Sequence, residues 1–321
     1  MIEREARFEF QNFFIRYGTI FALFLITVFF SLTAKGFVEI ANILNILRQI
    51  SLLTIISEGF TMCLLIGEID LSFAQIASLA SVISADLMLK GWNPLISVLL
   101  SLSVGPLIGL GNGVLVTKVG IPALITTLST GMITGGTVYM YTKGISLYGN
   151  MPMSFLNIGR GNIGPLPILV LIMLLFVSLF QIVVNKTKFG KYMRATGENP
   201  TAAWLAGINI ESYKRLGFIL SGLGAAITGV LLTARLGAAS PEGASGFLMD
   251  GFATALLGQT VFGIGKPTPF GTFIGALIVG TLNNGMTLLG APYYIQDITK
   301  GIIIILSVSA TSLQKKKIER R

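Results

Sequence analysis

Long apolar runs alternate with short polar ones along the whole chain. The runs fall at 17–37, 50–66, 73–89, 95–116, 123–141, 165–184, 216–234, 247–261, 270–288 and 293–313. Several reach the roughly 20 residues that a helix needs to cross a hydrocarbon layer. The short alternating segments of a membrane β-barrel are missing from the pattern. It therefore predicts an all-α fold: a polytopic helical membrane protein of about ten transmembrane helices, forming a single domain over 17–313. Residues 1–16 form a polar N-terminal segment, with Arg4, Arg7 and Arg16, and residues 314–321 a basic tail. Residues 42–49 predict an amphipathic helix leading into the second run. No cleavable leader is expected, because residues 4–16 are polar and amphipathic and the first apolar run is long enough to be a span.

The longest polar interval, 186–215, interrupts this pattern. It carries Lys186, Lys188, Lys191, Arg194, Lys214 and Arg215 against the two acids Glu198 and Glu211. So basic a loop between two spans belongs on the cytoplasmic side. Its interior, with Gly197, Glu198, Asn199 and Pro200, reads as a turn into a helix. Asn199 is placed to cap it and Pro200 to open its first turn. A short helix over 201–205 is then expected to stop at Gly207. Small side chains at Ala202, Ala203 and Ala206 allow close approach of another surface. Two readings stand at this point: a solvated connector that obeys charge bias, or a docking helix for a cytoplasmic partner.

Composition narrows the class further. Of 321 residues 53% are hydrophobic and 12% charged, too much apolar surface for a soluble protein to hide. The net charge of +9 sits in short loops and tails, as membrane topology requires, and does not point to nucleic acid. Of 23 Lys and Arg residues, only Lys35, Arg48, Lys90, Lys143, Arg160, Arg235 and Lys300 fall outside the segments assigned inside. An even number of spans puts both basic termini in the cytoplasm. Histidine is absent, which excludes His-based catalysis and His-ligated metal sites. The lone Cys63, in an apolar run, reads as a small buried hydrophobe. Gly265-Lys266 is followed by Pro267 and does not make a phosphate-binding loop, and the Gly-x-Ser-x-Gly and His-Glu-x-x-His motifs are missing. No catalytic residue, cofactor or metal is assigned to this chain.

An internal repeat accompanies the topology. Asn112-Gly113, Gly120-Ile-Pro122 and Gly131 recur as Asn284-Gly285, Gly290-Ala-Pro292 and Gly301. One Gly-x-Pro turn is assigned inside and the other outside, as in the inverted repeats of alternating-access transporters. Chance recurrence of residues common in membrane helices is the other reading. Gly105, Gly109, Gly111 and Gly113 in the fourth run, and Gly271, Gly275 and Gly280 in the ninth, suggest close helix packing. Glu58, Asp70, Asp86, Asp250, Asp297 and Lys300 are ionisable groups within or beside spans, candidates by default for function. Asp297 and Lys300 share a helix face and are expected to pair. Glu68 and Asp70 are placed to favour the start of the next helix. Asn283, Asn284 and Phe252 are candidate substrate contacts near the external ends of central spans.

The stretches GEIDLS (67–72), GLGNGVLVTKVGIPALITTLSTG (109–131), FGKYMRATGENPTAAWLAGIN (189–209), LSGLGAAITGVLLTARLGAASP (220–241), LMDGFATALLG (248–258), FGTFIGALIVGTLNNGMTLLG (270–290) and KGIIIIL (300–306) occur in one order over most of the chain. Together they resemble the permease subunits of bacterial sugar-type ABC importers, the ribose-permease-like group. The resemblance implies a subunit of the bacterial cytoplasmic membrane that dimerises with a second permease copy, identical or not. It implies a cytoplasmic ATP-binding subunit that holds ATP and magnesium and docks on 197–207, and an extracytoplasmic substrate-binding protein that delivers a monosaccharide. ATP hydrolysis in the partner would drive alternating access. The chain departs from the group at Gly67-Glu68, where Gly-Gly is usual, at Phe73-Ala74, and over 259–268, so the exact solute stays open. Related groups carry nucleosides, a furanone-type signalling molecule or branched-chain amino acids. An ion-coupled secondary transporter using Glu58, Asp250 or the Asp297–Lys300 pair is the competing class.

Overall fold

Glycine, alanine and small hydroxyl side chains set how closely the apolar segments of this chain approach one another. The computed structural model describes residues 2–261 and 265–319, with side chains described over 18–306, apart from 262–264, and at 309. Thirteen α-helices carry these residues: α1 (Ile2–Thr33), α2 (Ile40–Leu65), α3 (Phe73–Leu89), α4 (Pro94–Val114), α5 (Ala123–Thr142), α6 (Met153–Arg160), α7 (Ile168–Lys186), α8 (Lys188–Glu198), α9 (Pro200–Leu205), α10 (Ile210–Leu236), α11 (Phe247–Thr260), α12 (Pro269–Leu288) and α13 (Tyr293–Glu319). A π-helical turn, Leu115–Val119, extends α4. Four two-residue strands, β1 (Leu147–Tyr148), β2 (Asn162–Ile163), β3 (Leu166–Pro167) and β4 (Ala238–Ala239), pair antiparallel as β1 with β4 and β2 with β3.

Each apolar run of the sequence lies in one of the long helices, and the architecture is that of an all-α membrane protein. Among the described residues four helices are long and apolar enough to cross a bilayer: Ile40–Leu65, Pro94–Val119, Ile168–Lys186 and Ile210–Leu236. Gly18–Thr33 and Phe73–Leu89 are shorter apolar helices. The amphipathic segment expected at 42–49 is not separate: α2 runs unbroken from Ile40, because the segment has no glycine or proline to stop it.

The centre of the bundle is α10, which packs against α2, α3 and α4. Its approach to α4 depends on missing side chains. A Cβ on Gly105 would collide with the carbonyl oxygen of Gly222, one on Gly109 with that of Phe218, and one on Gly113 would lie 2.7 Å from Cα of Arg215. Gly111 is different: nothing lies within 4 Å of a Cβ there. On its other faces α10 meets α2 where Gly59 faces Gly224, and α3 where a Cβ on Gly229 would collide with the Ala77 carbonyl oxygen. The same device joins α11 to α12, where a Cβ on Gly275 would collide with the carbonyl oxygen of Thr254. Gly280 sits against the Ile50 side chain of α2. Short approach of this kind maximises dispersion contact where lipid offers no hydrophobic drive. The main apolar core is gathered around α2, with Ile50, Ile55, Ile56, Phe60 and Cys63 fully buried in it.

The packing has a pattern across the two halves. α3 packs on both α4 and α5, and α11 packs on both α12 and α13. α2 leans on α11 and α12 while α10 leans on α3 and α4. Loops are sorted onto two ends. At one end lie 186–215, the α2–α3 turn and the α11–α12 turn, joined by Lys214 to Glu68 and by Lys266 to Glu198 at 2.7 Å. At the far end β1 pairs with β4, Arg160 donates to the carbonyl oxygens of Arg235 (2.8 Å) and Leu236 (2.6 Å), and Arg48 donates to Asn162 (3.1 Å). The segment 142–164, with Asn, Gly and Pro throughout, reads from the sequence as a long loop. It instead holds β1, α6 and β2, whose order comes from these contacts with the end of α10.

Candidate functional site

The polar interval 186–215 is a built platform. Thr187 accepts a hydrogen bond from the Gly190 amide (3.3 Å) and caps α8; Asn199 accepts from the Ala202 amide (3.0 Å) and caps α9; Asn209 accepts from the Ser212 amide (3.1 Å) and caps α10. Three side-chain caps within one loop satisfy amides that each short helix would otherwise leave unpaired. Pro200 opens α9, and Gly207 ends it in the left-handed region at φ +78°. The cap at Asn199 and the stop at Gly207 were legible. The helix α8 was not, although Thr187 three residues before Gly190 is a capping signal.

The platform is fastened to the bundle beneath it. Met193 and Thr196 of α8 are fully buried. Tyr213 on α10 takes Phe189 and Tyr192 edge-on, with ring centroids 5.6 and 5.7 Å away. Gly197 lies so close to the end of α2 that a Cβ would collide with the Leu65 carbonyl oxygen and stand 2.8 Å from the Gly67 amide nitrogen. Ala203 is buried, so it holds α9 to the chain itself; Ala202 and Ala206 face outward. Trp204 and Leu205 stand next to them, 67% and 74% exposed. Two large apolar side chains are thus held outward on a capped helix, the kind of exposure that is common at interaction surfaces. Sequence reading placed the close approach at the alanines and missed these two. Gly197, Glu198, Asn199, Pro200, Ala202, Ala203 and Gly207 thus lie together, with Gly197 and Ala203 turned inward and Glu198 paired to Lys266.

The ionisable candidates divide into separate places. Asp70 lies just before α3. Its Oδ1 accepts from the Ser72 amide (2.8 Å) and the Ser72 hydroxyl (2.5 Å), and Asn112 of α4 donates to that same hydroxyl oxygen (3.0 Å). Asp70 thus organises the start of α3, as its position suggested; Glu68 instead turns away to Lys214. Lys300 has its nearer partner on another helix: Asp250 of α11 lies 2.8 Å away, and Asp297 3.5 Å. The Asp297–Lys300 pair is therefore part of a larger cluster, because the Asp297 carboxylate is 68% exposed while that of Asp250 is sheltered at 17%. Asn283 completes the cluster by donating to Asp250 (3.0 Å), so α11, α12 and α13 meet at one polar point. Asn284 and Asn42 exchange two amide hydrogen bonds of 3.0 Å. Phe252 lies 5.5 Å from Phe60, ring to ring. Glu58 is fully buried on α2, and among the described residues neither carboxylate oxygen has a hydrogen-bond partner. Among the described residues no hydrogen bond or ion pair joins Glu58 to the Asp250–Lys300 cluster.

Comparison with known proteins gives this arrangement its context. Residues 42–308 match the family model described as branched-chain amino acid transport system / permease component. The chain is 34% identical over 305 residues to the ribose import permease protein of Bacillus subtilis (strain 168), covering 95% of each chain. It is 33% identical over 311 residues to the D-allose transport system permease protein of Escherichia coli (strain K12), covering 96% of this chain and 95% of the relative. It is 29% identical over 370 residues to the xylose transport system permease protein of Haemophilus influenzae, covering 94% and 97%. No solved structure matches. The glycine-packed helical bundle with its capped polar platform therefore belongs to the transport-system permease family that this model describes.

Proposed function

We propose that the chain is the membrane-spanning permease subunit of an ABC importer for a monosaccharide, in the ribose, allose and xylose range of its relatives. The observation that carries the docking part of this reading is α9, capped by Asn199, ended by Gly207, and presenting Trp204 and Leu205 outward from a platform that is seated on α2 and α10. A cytoplasmic ATP-binding subunit, which holds ATP and magnesium, seats on this surface. An extracytoplasmic binding protein delivers the sugar at the far end, and a second permease copy completes the pathway. The chain itself has no ATPase site. It lies in the bacterial cytoplasmic membrane, with the segment 1–16, the loop 186–215 and the tail 314–321 inside.

In this reading the domain 17–313 crosses the bilayer ten times, by α1 to α5, α7 and α10 to α13, and is an inverted repeat of α2–α5 with α10–α13. The repeat is supported by the matching packing of α3 with α4 and α5 and of α11 with α12 and α13. It is supported also by Gly120 and Gly290, both in the left-handed region (φ +82° and +72°) with open space around them, in turns at opposite ends of the bundle. Such halves rock against one another in alternating access.

The test is reconstitution with the ATP-binding subunit and binding protein in proteoliposomes. Hydrolysis stimulated by one sugar only when all components are present is the expected result. Trp204→Ala together with Leu205→Ala should lower retention of the ATP-binding subunit at least about 30-fold, the loss of a two-anchor hot spot. Uptake driven by an ion gradient with the chain alone would overturn the proposal.

A further inference from the structure

Glu68 stands where the α2 chain turns into α3, one residue after Gly67, which is in the left-handed region at φ +78°. Its carboxylate is paired with the ammonium of Lys214, on the second turn of α10, and the two side chains are only 17% and 25% exposed. The other ion pair on this face, Glu198 with Lys266, is about half exposed on both sides, 51% and 49%. Solvent and salt weaken the second far more than the first.

The turn that bears Glu68 is held from both helices that flank α9. From α8, Gly197 presses on the Leu65 carbonyl oxygen and the Gly67 amide. From α10, Lys214 reaches Glu68. Two residues further along the same turn, polar contacts run into the bundle. Asp70 binds the Ser72 amide and hydroxyl, Asn112 of α4 binds the Ser72 hydroxyl, and the Leu71 amide donates to Thr127 of α5 at 3.0 Å. One short turn thus joins the docking platform to the starts or interiors of α3, α4 and α5.

We propose that Glu68 and Lys214 are positioning residues that convert displacement of the docking helix α9 into movement of α3, α4 and α5, so that ATP hydrolysis in the partner is coupled to opening of the pathway. The inference rests on the importer reading above. Its physical basis is a run of directional contacts along one short turn, with a sheltered charge pair fastening that turn to α10 beside the close backbone approach at Gly197. Removing either charge leaves the other partly desolvated and unpaired, which loosens the turn's hold on α10 to the packing of Ile66 against Gly217.

The experiment uses the assembled transporter in proteoliposomes and reads sugar transported per ATP hydrolysed, with retention of the ATP-binding subunit measured in parallel. Glu68→Gln and Lys214→Gln should each lower the transport-to-hydrolysis ratio about 5-fold, the low end of a site-to-site coupling, with retention unchanged. The swap Glu68→Lys with Lys214→Glu should recover at least half of the ratio, and Lys214→Arg should keep it near wild type. A flat ratio across the single variants overturns the proposal, as does a swap no better than the singles. If Glu68→Gln does not accumulate, the contrast of Lys214→Gln with Lys214→Arg decides alone. Loss of the ATP-binding subunit from the wild-type chain would instead overturn the importer reading.

Discussion

The helices α4 (26 residues with its π-helical turn) and α10 (27 residues) each contain an 18-residue stretch of mean hydropathy 1.9, yet 22% of that stretch in one and 72% in the other is buried within the chain. Hydropathy alone cannot separate them. The phase of their small residues does. On α4, Ser97, Ser101, Gly105, Gly109 and Gly113 recur every fourth position and, with Asn112, are its buried residues. The positions between them carry exposed Leu99, Leu107 and Leu110. One narrow stripe of small residues brings one helix, α10, to backbone contact, while α3 also packs on α4. On α10, Gly217, Ser221, Gly222, Gly224, Ala225, Ala226 and Gly229 spread over more than half of the circumference, and α2, α3 and α4 all come close. Apolarity tells a helix to leave water; small-residue phase tells it how many helices it will touch.

This contrast can be broken first at Gly105. Gly105→Leu forces α4 away from Gly222 and should cost about 3 kcal/mol or more, read as a large drop in the thermal unfolding temperature of the detergent-purified chain. The same change at Gly111 meets open space, and it should stay within about 0.5 kcal/mol. Equal losses at the two glycines would refute the one-stripe account of α4. Next in size is the region held by charge instead of glycine. Asp250→Asn or Lys300→Met leaves its sheltered partner unpaired and should cost about 2 kcal/mol, and the double variant should regain most of that in a double-mutant cycle. Failure to regain it would show that α11, α12 and α13 do not depend on the pair. Asn199→Ala removes the cap of α9 and should cost about 1 kcal/mol locally, seen as weaker retention of the ATP-binding subunit with little change in global unfolding. The smallest effect is expected at Leu107→Ala on the lipid face of α4, within about 0.5 kcal/mol.

The candidate site was partly legible for reasons that residues make plain. Asn199, Pro200 and Gly207 act locally, through a cap, a preset φ and a left-handed stop, so their roles could be read from a few neighbouring letters. Trp204 and Leu205 could not be given an orientation, because a six-residue helix has no periodicity to fix which face is out. Ala203 had the same ambiguity and turned out to be inward. Asp297 and Lys300, three apart on one helix, were an obvious local pair, but the sheltered carboxylate of Asp250 lies closer. Glu68 was read as a bias toward the next helix; its partner lies 146 residues away. A contact across that separation leaves no local signature.

The sequence by itself determined that the chain is helical and made for a membrane, where its apolar runs lie though not how far α2 and α10 extend before them, which loops share an end, and that 186–215 contains a capped helix. Those properties follow from hydropathy, charge bias and cap chemistry, each acting over one helix or less. Only the tertiary structure decided that α10 is the centre, that Gly105 is crowded and Gly111 free, that Lys300 belongs first to Asp250, and that Glu68 pairs with Lys214 to fasten the 186–215 segment to the α2–α3 turn. These depend on which helix lies beside which, and helix neighbours are chosen by close packing and charge pairing summed over the whole fold.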